Sequence, residues 1–452
     1  MVGINTLNID EKLKENLKSL GYENLTKIQE ESLPLILEGK DVIAKAKTGS
    51  GKTAAFGIGL LNKLDVKKFK AQCLVLCPTR ELADQVADEL RRIARYKHNI
   101  KILTLCGGVP TSRQTHSLTH GAHVIVGTPG RVLFHLRENN LNPEHLETLV
   151  LDEADRMLDM GFLEDIEKVI SFIPKQRQTL LFSATYDSNI KELSKGILND
   201  PTFKSVDTVH TESTIREEFI KTSKKDTVLL KLFSTYKPKS IIIFCNTKIK
   251  CDELDAYLYD MGYDPLVLHS DFEQKTRDEI ITLFSSKSYP ILIATDVASR
   301  GLDIDDVEMV INYDMANDTN VYTHRIGRTA RAGKSGVALT LYNDYDEDKV
   351  EDLQDDKQLV YIDEDSLVDE VYKLKAEYKT IYVSGGKKLK LRPADILGCL
   401  IQDNGLEKDD IGKIKIFPMC SYVAIKVEAY DKKIKDLESL KIKGKYFRIF
   451  AR

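Results

Sequence analysis

The segment from Ala46 to Thr53 has the composition of a phosphate-binding loop, Ala-Lys-Thr-Gly-Ser-Gly-Lys-Thr. An apolar run from Asp41 to Ala44 precedes it, and a helical pattern from Ala54 to Leu64 follows it. Glycines allow consecutive backbone N–H groups to turn towards phosphate oxygens, and the N-terminus of the next helix favours the same anion. A fortuitous glycine-rich turn is the alternative interpretation. The predicted nucleotide-binding residues of this loop are Ala46, Lys47, Thr48, Gly49, Ser50, Gly51, Lys52 and Thr53.

An acidic motif follows about one hundred residues later, where the run Thr148 to Leu151 leads directly into Asp152-Glu153-Ala154-Asp155. Ligands of open α/β sheets bind beyond the carboxyl ends of the strands, where these acids fall. We expect Lys52 to neutralise the β- and γ-phosphates, Thr53 and Asp152 to hold Mg²⁺, and Glu153 to orient and deprotonate an attacking water. An acidic helix N-terminus without chemistry is the alternative interpretation.

Three arginines lie in the segment His324-Arg325-Ile326-Gly327-Arg328-Thr329-Ala330-Arg331, where neither strand nor core periodicity explains them. Phosphoryl transfer concentrates negative charge on the γ-phosphate, and an arginine supplied from another domain can raise its rate by about 10³ to 10⁵. Arg328 and Arg331 are the candidates, with a cationic surface patch as the alternative. If they act in this way, hydrolysis requires two domains to close, and the enzyme is a switch.

Short β-branched runs, each followed by a turn and a helical pattern, predict an α/β fold with parallel sheets. The rhythm breaks at Asp200 to Ser213 and then resumes, so we expect two α/β domains in tandem. The last segment alternates in a β-α-β-β-α-β order that is typical of an RNA-recognition-motif-like α+β domain. The predicted organisation is domain 1 at 1–206, a linker at 207–216, domain 2 at 217–370, a linker at 371–377 and the terminal domain at 378–452.

The charge of the chain is uneven, although the net charge of its 452 residues is only −4. Asn343 to Glu370 contains thirteen acidic residues and two lysines, which we interpret as a solvated linker. Tyr378 to Arg452 contains seventeen Lys and Arg against nine Asp and Glu, which favours a polyanionic partner. No run is apolar enough to span a membrane, and the seven cysteines contain no C-x-x-C pair. We therefore expect a cytoplasmic protein with buried free thiols and no membrane partner.

From about Ile4 to Tyr342 the chain resembles the DEAD-box RNA helicases. The resemblance is carried by eleven motifs that occur in the family's order, which makes coincidence implausible. The motifs are Gly21-Tyr22 with Thr26, Ile28 and Gln29; Ala46 to Thr53; Pro78 to Leu82; Gly107-Gly108; Thr128 to Arg131; Asp152 to Asp155; Ser183 to Thr185; Ile241 to Thr247; Gln274 with Arg277; Thr295-Asp296 through Arg300 to Asp303; and His324 to Arg331.

This resemblance implies two RecA-like domains, ATP and Mg²⁺ as cofactors, and RNA rather than DNA as the partner. It assigns Gln29 to the adenine edge, Asp303 to the ribose, and Ser183, Thr185 and His324 to coupling between the nucleotide site and domain closure. It assigns the grip on RNA phosphates and sugars to hydroxyls, glycine amides and arginines, which carry no base code. The implied core RNA contacts are Thr79, Arg80, Gly108, Thr128, Gly130, Arg131, Thr247, Arg277 and Thr295.

From the residues alone, Thr128 to Arg131 is equally a plain turn, and Thr79-Arg80 is equally a helix N-cap followed by a surface arginine. The sequence also departs from the family pattern at three positions. Ile4 stands where an aromatic residue is usual, so adenine stacking is expected to be weaker or to come from Tyr22. Leu25 replaces a proline and Ala330 replaces a glycine, and neither change is expected to abolish the reaction.

The terminal domain resembles that of the DbpA class of DEAD-box proteins, through Thr380 to Val383, Gly385 to Lys388 and Leu391 to Ile396. That resemblance implies binding to a hairpin of large-subunit ribosomal RNA and a role on assembling ribosomal particles. The candidate contacts are cations, with a solvated loop as the alternative. Tyr382, Phe417 and Tyr422 are either base-stacking rings or core aromatics. The cationic candidates are Lys387, Lys388, Lys390 and Arg392.

Together these observations predict an ATP-dependent RNA helicase that melts short duplexes locally, by favouring a bent single strand over a regular duplex. The predicted catalytic residues are Lys52, Asp152, Glu153, Arg328 and Arg331. An ATP-gated RNA clamp with a scaffolding role is the competing function, and a DNA translocase is disfavoured by the resemblance alone.

Overall fold

The computed structural model describes residues 3–46, 49–206, 215–296, 307–330, 335–353, 359–435 and 437–452. These residues fall into two compact units, divided between residues 210 and 211. The first unit contains one parallel sheet. The second contains another parallel sheet and a smaller antiparallel sheet. The predicted pair of RecA-like α/β domains followed by a small α+β domain is therefore confirmed.

The first unit is built on a seven-stranded parallel sheet with the order β3-β4-β2-β5-β6-β1-β7. Its strands are β1 Val42–Lys45, β2 Cys73–Leu76, β3 Ile102–Leu105, β4 Val124–Gly127, β5 Thr148–Asp152, β6 Gln178–Ser183 and β7 Thr202–Ser205. The central strands are continuous apolar runs because both of their faces are covered by helices. Successive side chains point to opposite faces, so Val150 joins one hydrophobic cluster while Leu149 and Leu151 join the other.

Helices of the first unit cover this sheet. They are α1 Glu11–Ser19, α2 Lys27–Leu37, α3 Lys52–Lys63, α4 Arg80–Ile93, α5 Thr111–Thr119, α6 Pro129–Arg137, α7 Ala154–Asp159, α8 Leu163–Phe172 and α9 Ser188–Ile197. The order β5-β6-β1 has a direct functional consequence. It brings the acidic motif after β5, Ser183 at the end of β6 and the glycine-rich loop after β1 to neighbouring positions on the carboxyl edge.

The second unit begins with another seven-stranded parallel sheet, ordered β10-β11-β9-β12-β13-β8-β14. Its strands are β8 Ile215–Lys221, β9 Ile241–Cys245, β10 Leu266–Leu268, β11 Ile291–Thr295, β12 Met309–Asn312, β13 Gly336–Tyr342 and β14 Val360–Tyr361. The helices of this domain are α10 Lys225–Tyr236, α11 Lys248–Asp260, α12 Gln274–Ser285, α13 Thr319–Ile326 and α14 Glu347–Asp352.

The acidic segment Asn343 to Glu370 contains regular structure, in contrast to our interpretation of it as a linker. It contains α14, and β14 pairs with β8 at the edge of the second sheet. Lys221 at the end of β8 forms ion pairs with Asp344 and Glu347. Strand pairing and these ion pairs attach the segment to the domain, which a count of charges could not reveal.

The terminal domain is a five-stranded antiparallel sheet with the order β16-β17-β15-β19-β18. Its elements are β15 Tyr378–Val383, α15 Pro393–Gln402, β16 Ile411–Ile416, β17 Ser421–Lys426, α16 Val427–Lys433, β18 Ser439–Ile442 and β19 Lys445–Ala451. The predicted β-α-β-β-α-β order is present, with β18 as an additional strand. A separate hydrophobic cluster, which includes Ile381, Leu400 and Val423, gives this domain its own core.

Specific polar contacts join the terminal domain to the C-terminal end of α12 and the residues that follow it. The Thr380 Oγ1 atom lies 2.9 Å from Ser286 Oγ and 2.7 Å from Ser288 Oγ, and the three hydroxyls are buried. The Arg452 Nε atom lies 2.9 Å from Glu279 Oε1 on α12. Because buried hydroxyls need partners, these contacts favour one fixed orientation between the two domains.

All seven cysteines are buried and unpaired, as expected from the sequence. Within the residues that the structure describes, no helix is both long and apolar enough to cross a membrane.

Close packing at the end of β4 provides a test of the first sheet. A Cβ atom at Gly127 would collide with the backbone oxygen of Leu105 on β3, whereas a Cβ atom at Gly196 on α9 would meet no atom within 4 Å. We expect Gly127→Ala to lower the free energy of unfolding by about 1–3 kcal/mol. Gly196→Ala should raise it by up to ~1 kcal/mol. Calorimetric unfolding of both variants checks this, and an equal effect of the two substitutions would contradict the packing.

Candidate functional site

The glycine-rich loop connects β1 to α3 and takes the backbone conformation that its glycines allow. Gly49 and Gly51 have φ angles of 82° and 92°, which side-chain-bearing residues rarely adopt. Lys52 and Thr53 then open α3. Lys52 is buried, and its Nζ donates a hydrogen bond to the backbone oxygen of Ala46, 2.9 Å away. The lysine therefore lies across the loop. Lys47 and Thr48 lie outside the described residues.

Gln29 is buried near the start of α2 and is hydrogen-bonded to this loop. Its Oε1 accepts from the backbone N–H of Thr26 at 3.0 Å, and its Nε2 donates to the backbone oxygen of Gly51 at 3.0 Å. The amide keeps one further lone pair and one further N–H. It can therefore still contact a base edge while it holds the loop.

Two of the residues that depart from the family pattern belong to the hydrophobic core and do not form a surface on which adenine could stack. Ile4 is almost fully buried in the main core cluster, together with Leu25. The hydroxyl of Tyr22 donates a hydrogen bond to Glu89. Ile4 thus contributes to the core of the domain, which leaves Tyr22 as the candidate for contact with a base.

The acidic motif places three carboxylates in the interior, at the end of β5 and the start of α7. Burial raises the pKa of the Asp152 carboxyl to about 7, although the nearby Lys52 ammonium opposes this shift. Glu153 has a φ angle of 53°, in the left-handed region that is costly for a non-glycine residue. Its Oε2 pairs with the buried guanidinium of Arg156 at 2.7 Å. Arg156, which sequence reasoning did not select, therefore orients the predicted base.

Asp155 links the acidic motif to the end of β6. Its Oδ2 accepts hydrogen bonds from the backbone N–H groups of Ala184 at 3.0 Å and Thr185 at 3.1 Å. Ser183 and Thr185 were assigned to coupling through the resemblance. The observed connection runs through the backbone of Ala184 and Thr185 and the carboxylate of Asp155. The coupling role of the two hydroxyls stays a prediction.

Three buried oxygens in this region have no hydrogen-bond partner among the described residues: Ser50 Oγ, Asp152 Oδ1 and Ser183 Oγ. Buried polar atoms are almost always paired in proteins, so each of these oxygens calls for an explanation. Serine hydroxyls can donate to phosphate oxygens, and a carboxylate oxygen is a preferred ligand of Mg²⁺. The donor set therefore fits a nucleotide phosphate with a divalent cation.

The predicted RNA contacts of the first unit lie at the N-termini of helices on the carboxyl edge of the sheet. Thr79 caps α4 by accepting from the Leu82 N–H at 3.3 Å, and Thr128 precedes α6. Arg80 forms a partly exposed ion pair with Asp84 at 3.5 Å. Helix N-termini bind phosphates, so the capping and RNA-binding interpretations of these residues are compatible.

Arg131 has a structural role that the sequence did not indicate. Its Nη1 donates to the backbone oxygen of Val109 at 2.9 Å and to Gln114 Oε1 at 3.1 Å. These bonds hold the segment that follows Gly108, whose φ angle is 69°. The Cα of Gly130 lies so close to Asp165 that a Cβ there would be 3.2 Å from the carboxylate oxygen.

In the second unit, the predicted contacts Thr247 and Thr295 lie where β9 and β11 end. Thr247 caps α11 by accepting from the Lys250 N–H at 3.1 Å, and Thr295 is buried at the last position of β11. Arg277 lies on α12 and His324 on α13. Asp303 lies outside the described residues.

The three arginines of the His324 to Arg331 segment differ in their environments. Arg325 is 1% exposed and makes two hydrogen bonds to the Asp296 carboxylate, at 2.6 and 2.7 Å. It also donates to Asn246 Oδ1 and to the backbone oxygen of Asp314 at 2.7 Å each. Arg325 therefore fastens three loops of the sheet together. Arg328 is also buried, and Arg331 lies outside the described residues.

The candidate cations of the terminal domain are exposed on the segment between β15 and α15. Lys387 and Lys388 lie on a single 3₁₀ turn, Lys390 has a φ angle of 59°, and Arg392 precedes α15. A Cβ atom at Gly386 would collide with the backbone oxygen of Phe417. Close packing of the glycine backbone thus holds the turn, and the four cations are presented on a defined loop.

The aromatic candidates of the terminal domain lie close to the interface with α12. The Arg452 guanidinium lies 5.4 Å from the centre of the Tyr382 ring, and it also pairs with Glu279. Tyr422 is buried, with its ring 5.5 Å from that of Tyr382. This arrangement favours the core-aromatic interpretation for Tyr422, while Phe417 remains half-buried.

Comparison with known protein families agrees with this geometry. Residues 26–193 match the DEAD/DEAH box helicase family, and residues 224–333 match the helicase conserved C-terminal domain. Residues 380–450 match the DbpA RNA binding domain.

Individual relatives show the same relationship. The chain is 47% identical over 453 residues to the ATP-dependent RNA helicase DbpA of Escherichia coli K12, with 99% of each chain covered. It is 43% identical over 343 residues to the ATP-dependent RNA helicase CshA of Listeria monocytogenes, which covers 75% of this chain and 66% of the relative. The structure of Saccharomyces cerevisiae Dbp5 bound to RNA and ADP BeF₃ aligns with a TM-score of 0.73 at 30% identity. That alignment covers 81% of this chain and 96% of the yeast chain.

The raised pKa of Asp152 predicts a pH-dependent stability. Between pH 3.8 and about 7 the native carboxyl keeps a proton that the unfolded chain releases, so burial of Asp152 costs stability increasingly as the pH rises. In buffer without metal and nucleotide, Asp152→Asn should therefore raise the thermal midpoint at pH 8 clearly more than at pH 5. Exposed Glu192→Gln, which removes the same charge, is the control. A gain that does not change with pH in calorimetry would refute this.

Proposed function

The chain belongs to the DEAD-box family of ATP-dependent RNA helicases, and from this premise we propose that it unwinds RNA duplexes locally, with strand separation coupled to RNA-stimulated ATP hydrolysis. The observation that supports this most strongly is the group of partnerless buried oxygens beside the glycine-rich loop. Their positions suit a nucleotide phosphate and a cation, and Lys52 already lies across the loop that would surround the phosphates.

In this proposal each residue of the first unit has a distinct task. Thr53 and Asp152 would hold Mg²⁺, which when bound neutralises phosphate charge and polarises the phosphoryl group. Glu153 orients the attacking water and accepts its proton, while Arg156 positions Glu153 through their 2.7 Å ion pair. Gln29 on α2 is hydrogen-bonded to Gly51 of the glycine-rich loop. The residue that would contact the base is therefore joined directly to the loop that would hold the phosphates.

Arg328 and Arg331 of the second unit would complete the site by stabilising charge on the transferred phosphoryl group. ATP binds the first unit, and RNA contacts residues of both units, so each ligand favours the closed state and strengthens binding of the other. A strand that bends to fit both sets of helix N-termini binds better than a regular duplex, and the duplex opens locally as a result. Phosphate release would remove the group that the arginines hold and permit RNA to leave.

The terminal domain supports a more specific proposal about the substrate. We infer that Lys387, Lys388, Lys390 and Arg392 bind a hairpin of large-subunit ribosomal RNA and direct the enzyme to assembling ribosomal particles. The match to the DbpA RNA binding domain, the high identity to the Escherichia coli relative and the excess of positive charge support this. The cytoplasmic location and the preference for RNA over DNA stay predictions.

The arginine assignment can be tested by steady-state phosphate release. We expect RNA to stimulate hydrolysis by the full-length chain, and a matched DNA strand to stimulate it much less. Arg331→Ala should reduce the stimulated rate by about 10³-fold and leave ATP affinity nearly unchanged, because the arginine acts on the transition state. The exposed Arg137→Ala variant is the matched control. Unchanged turnover in Arg331→Ala would refute the assignment, and no stimulation of the wild type would favour the scaffolding clamp.

The hairpin proposal requires a separate test with full-length protein. Substituting Lys387, Lys388, Lys390 and Arg392 together by Gln should remove the preference of the ATPase for a ribosomal RNA hairpin over an unrelated duplex. The maximal rate at saturating RNA should remain within about threefold, because the helicase domains are unchanged. The control replaces four other exposed lysines of the same domain, Lys408, Lys413, Lys432 and Lys435. An equal loss of preference in both variants would show that the loop has no special role.

A further inference from the structure

A large groove in the second unit lies at the opposite edge of the sheet from Thr247 and Thr295. It has a volume of about 1470 Å³ and is bounded by the starts of β8, β9, β12 and β13. Residues 371–377, which we expected to be a linker, form its other side. The charged residues that line the groove are Arg216, Lys239, Lys287, Glu308, Lys373, Lys375 and Glu377.

Residues 371–377 are fixed to the domain. Tyr372 and Leu374 pack on the hydrophobic cluster of the second sheet. The hydroxyl of Tyr263 donates to the backbone oxygen of Tyr372 at 2.8 Å. The hydroxyl of Tyr372 in turn donates to the backbone oxygen of Lys237 at 3.2 Å. Because alternate residues face the core, Lys373 and Lys375 are exposed on the other side. In an extended chain, the Cα atoms of residues two positions apart are about 6.6 Å apart. The two lysines therefore lie side by side along this segment.

The charges of the groove are not balanced. Five cations and two carboxylates line it. Arg216 pairs with Glu218 at 2.7 Å and Lys287 pairs with Glu377 at 3.0 Å, so three lysines face the one remaining carboxylate, Glu308. That carboxylate accepts from the backbone N–H of Lys239 at 2.8 Å. Within the described part of the chain, Lys239, Lys373 and Lys375 form no ion pair. A concave surface of this kind concentrates positive potential and attracts an anionic ligand.

The groove is continuous with the terminal domain. The backbone N–H groups of Glu377 and Tyr378 donate to the Lys287 oxygen at 3.2 and 3.3 Å, and Tyr378 is the first residue of β15. The groove therefore keeps a fixed position relative to the terminal domain. The size of the groove exceeds what one phosphate needs, and the row of cations suits a chain of phosphates.

We propose that this groove binds the phosphate backbone of RNA that flanks the element recognised by the terminal domain. The contact is electrostatic and independent of the RNA sequence, since lysines that bind phosphates make no contact with the base edges. It enlarges the RNA footprint on the second unit beyond the helicase motifs. The inference rests on the proposed function only in taking the terminal domain as the primary RNA contact.

The test compares two RNAs on the full-length protein, a ribosomal RNA hairpin alone and the same hairpin with an extended flanking helix. Replacement of Lys239, Lys373 and Lys375 by Gln should leave hairpin affinity unchanged and weaken binding of the extended RNA by about tenfold or more. The slope of log affinity against log salt for the extended RNA should fall by about 2 to 3, since each lost phosphate contact removes about 0.9. A photoreactive side chain at position 373 should crosslink to the flanking helix.

The control variant replaces three exposed lysines of the first unit, Lys12, Lys18 and Lys195, by Gln. The proposal would be overturned if the two triple variants gave equal salt slopes, or if no crosslink formed from position 373. It would also be overturned if the groove bound an acidic protein segment and its substitution left RNA binding unchanged. Wild-type ATPase stimulation is measured in parallel. If the wild type is stimulated by RNA and the salt slopes are equal, only the groove assignment fails; if the wild type is not stimulated, the proposed function fails.

Discussion

The candidate site of the first domain depends on one constraint, the buried carboxylate of Asp152. One of its oxygens has no hydrogen-bond partner in the part of the chain that the structure describes. A buried anion is costly, and here the cost appears as a pKa raised to about 7 by desolvation. The strand that carries Asp152 lies in the middle of a sheet whose two faces are packed with apolar side chains. The Ser50 and Ser183 oxygens likewise have no partner among the described residues. A phosphate with a divalent cation would give these oxygens the partners that buried polar groups require.

The second domain uses the opposite arrangement in its central polar cluster. Arg325 is as deeply buried as Asp152, but its guanidinium is hydrogen-bonded to Asp296, Asn246 and Asp314. Such a saturated network has no capacity left for a nucleotide, and breaking it would leave a buried charge without a partner. Arg325 thus serves the architecture of the domain, which is consistent with assigning phosphate contacts to the other two arginines of that segment.

The features that could be predicted from the sequence are those that depend on short stretches of chain. The strand, loop and helix around Lys52 are contiguous, and the apolar runs of the central strands are visible without a partner. Two of the edge strands were not predicted. Thr202–Ser205 and Val360–Tyr361 are short and partly polar or exposed, because an edge strand has less apolar surface to bury.

The contacts that could not be predicted join residues distant in sequence. Arg325 meets Asn246, 79 positions away, and Arg131 holds Val109, so both look like surface cations until the chain is folded. Asp155 belongs to a motif that was found, but its bonds to the backbone of Ala184 and Thr185 depend on the adjacency of β5 and β6. For the same reason, the sequence did not show that Tyr372 and Leu374, in a segment interpreted as a linker, pack on the second domain.

The buried hydroxyls of Ser286, Ser288 and Thr380 have a consequence for how the enzyme searches for its substrate. A module on a flexible tether samples a volume set by the length of the tether, and the helicase domains could then act on any helix within reach. With the module fixed to α12, its distance and direction from the second helicase domain are set. If the module binds an RNA element as proposed, that element would determine which neighbouring helix meets the second helicase domain. The spacing between the two RNA segments would then become part of the specificity of the enzyme.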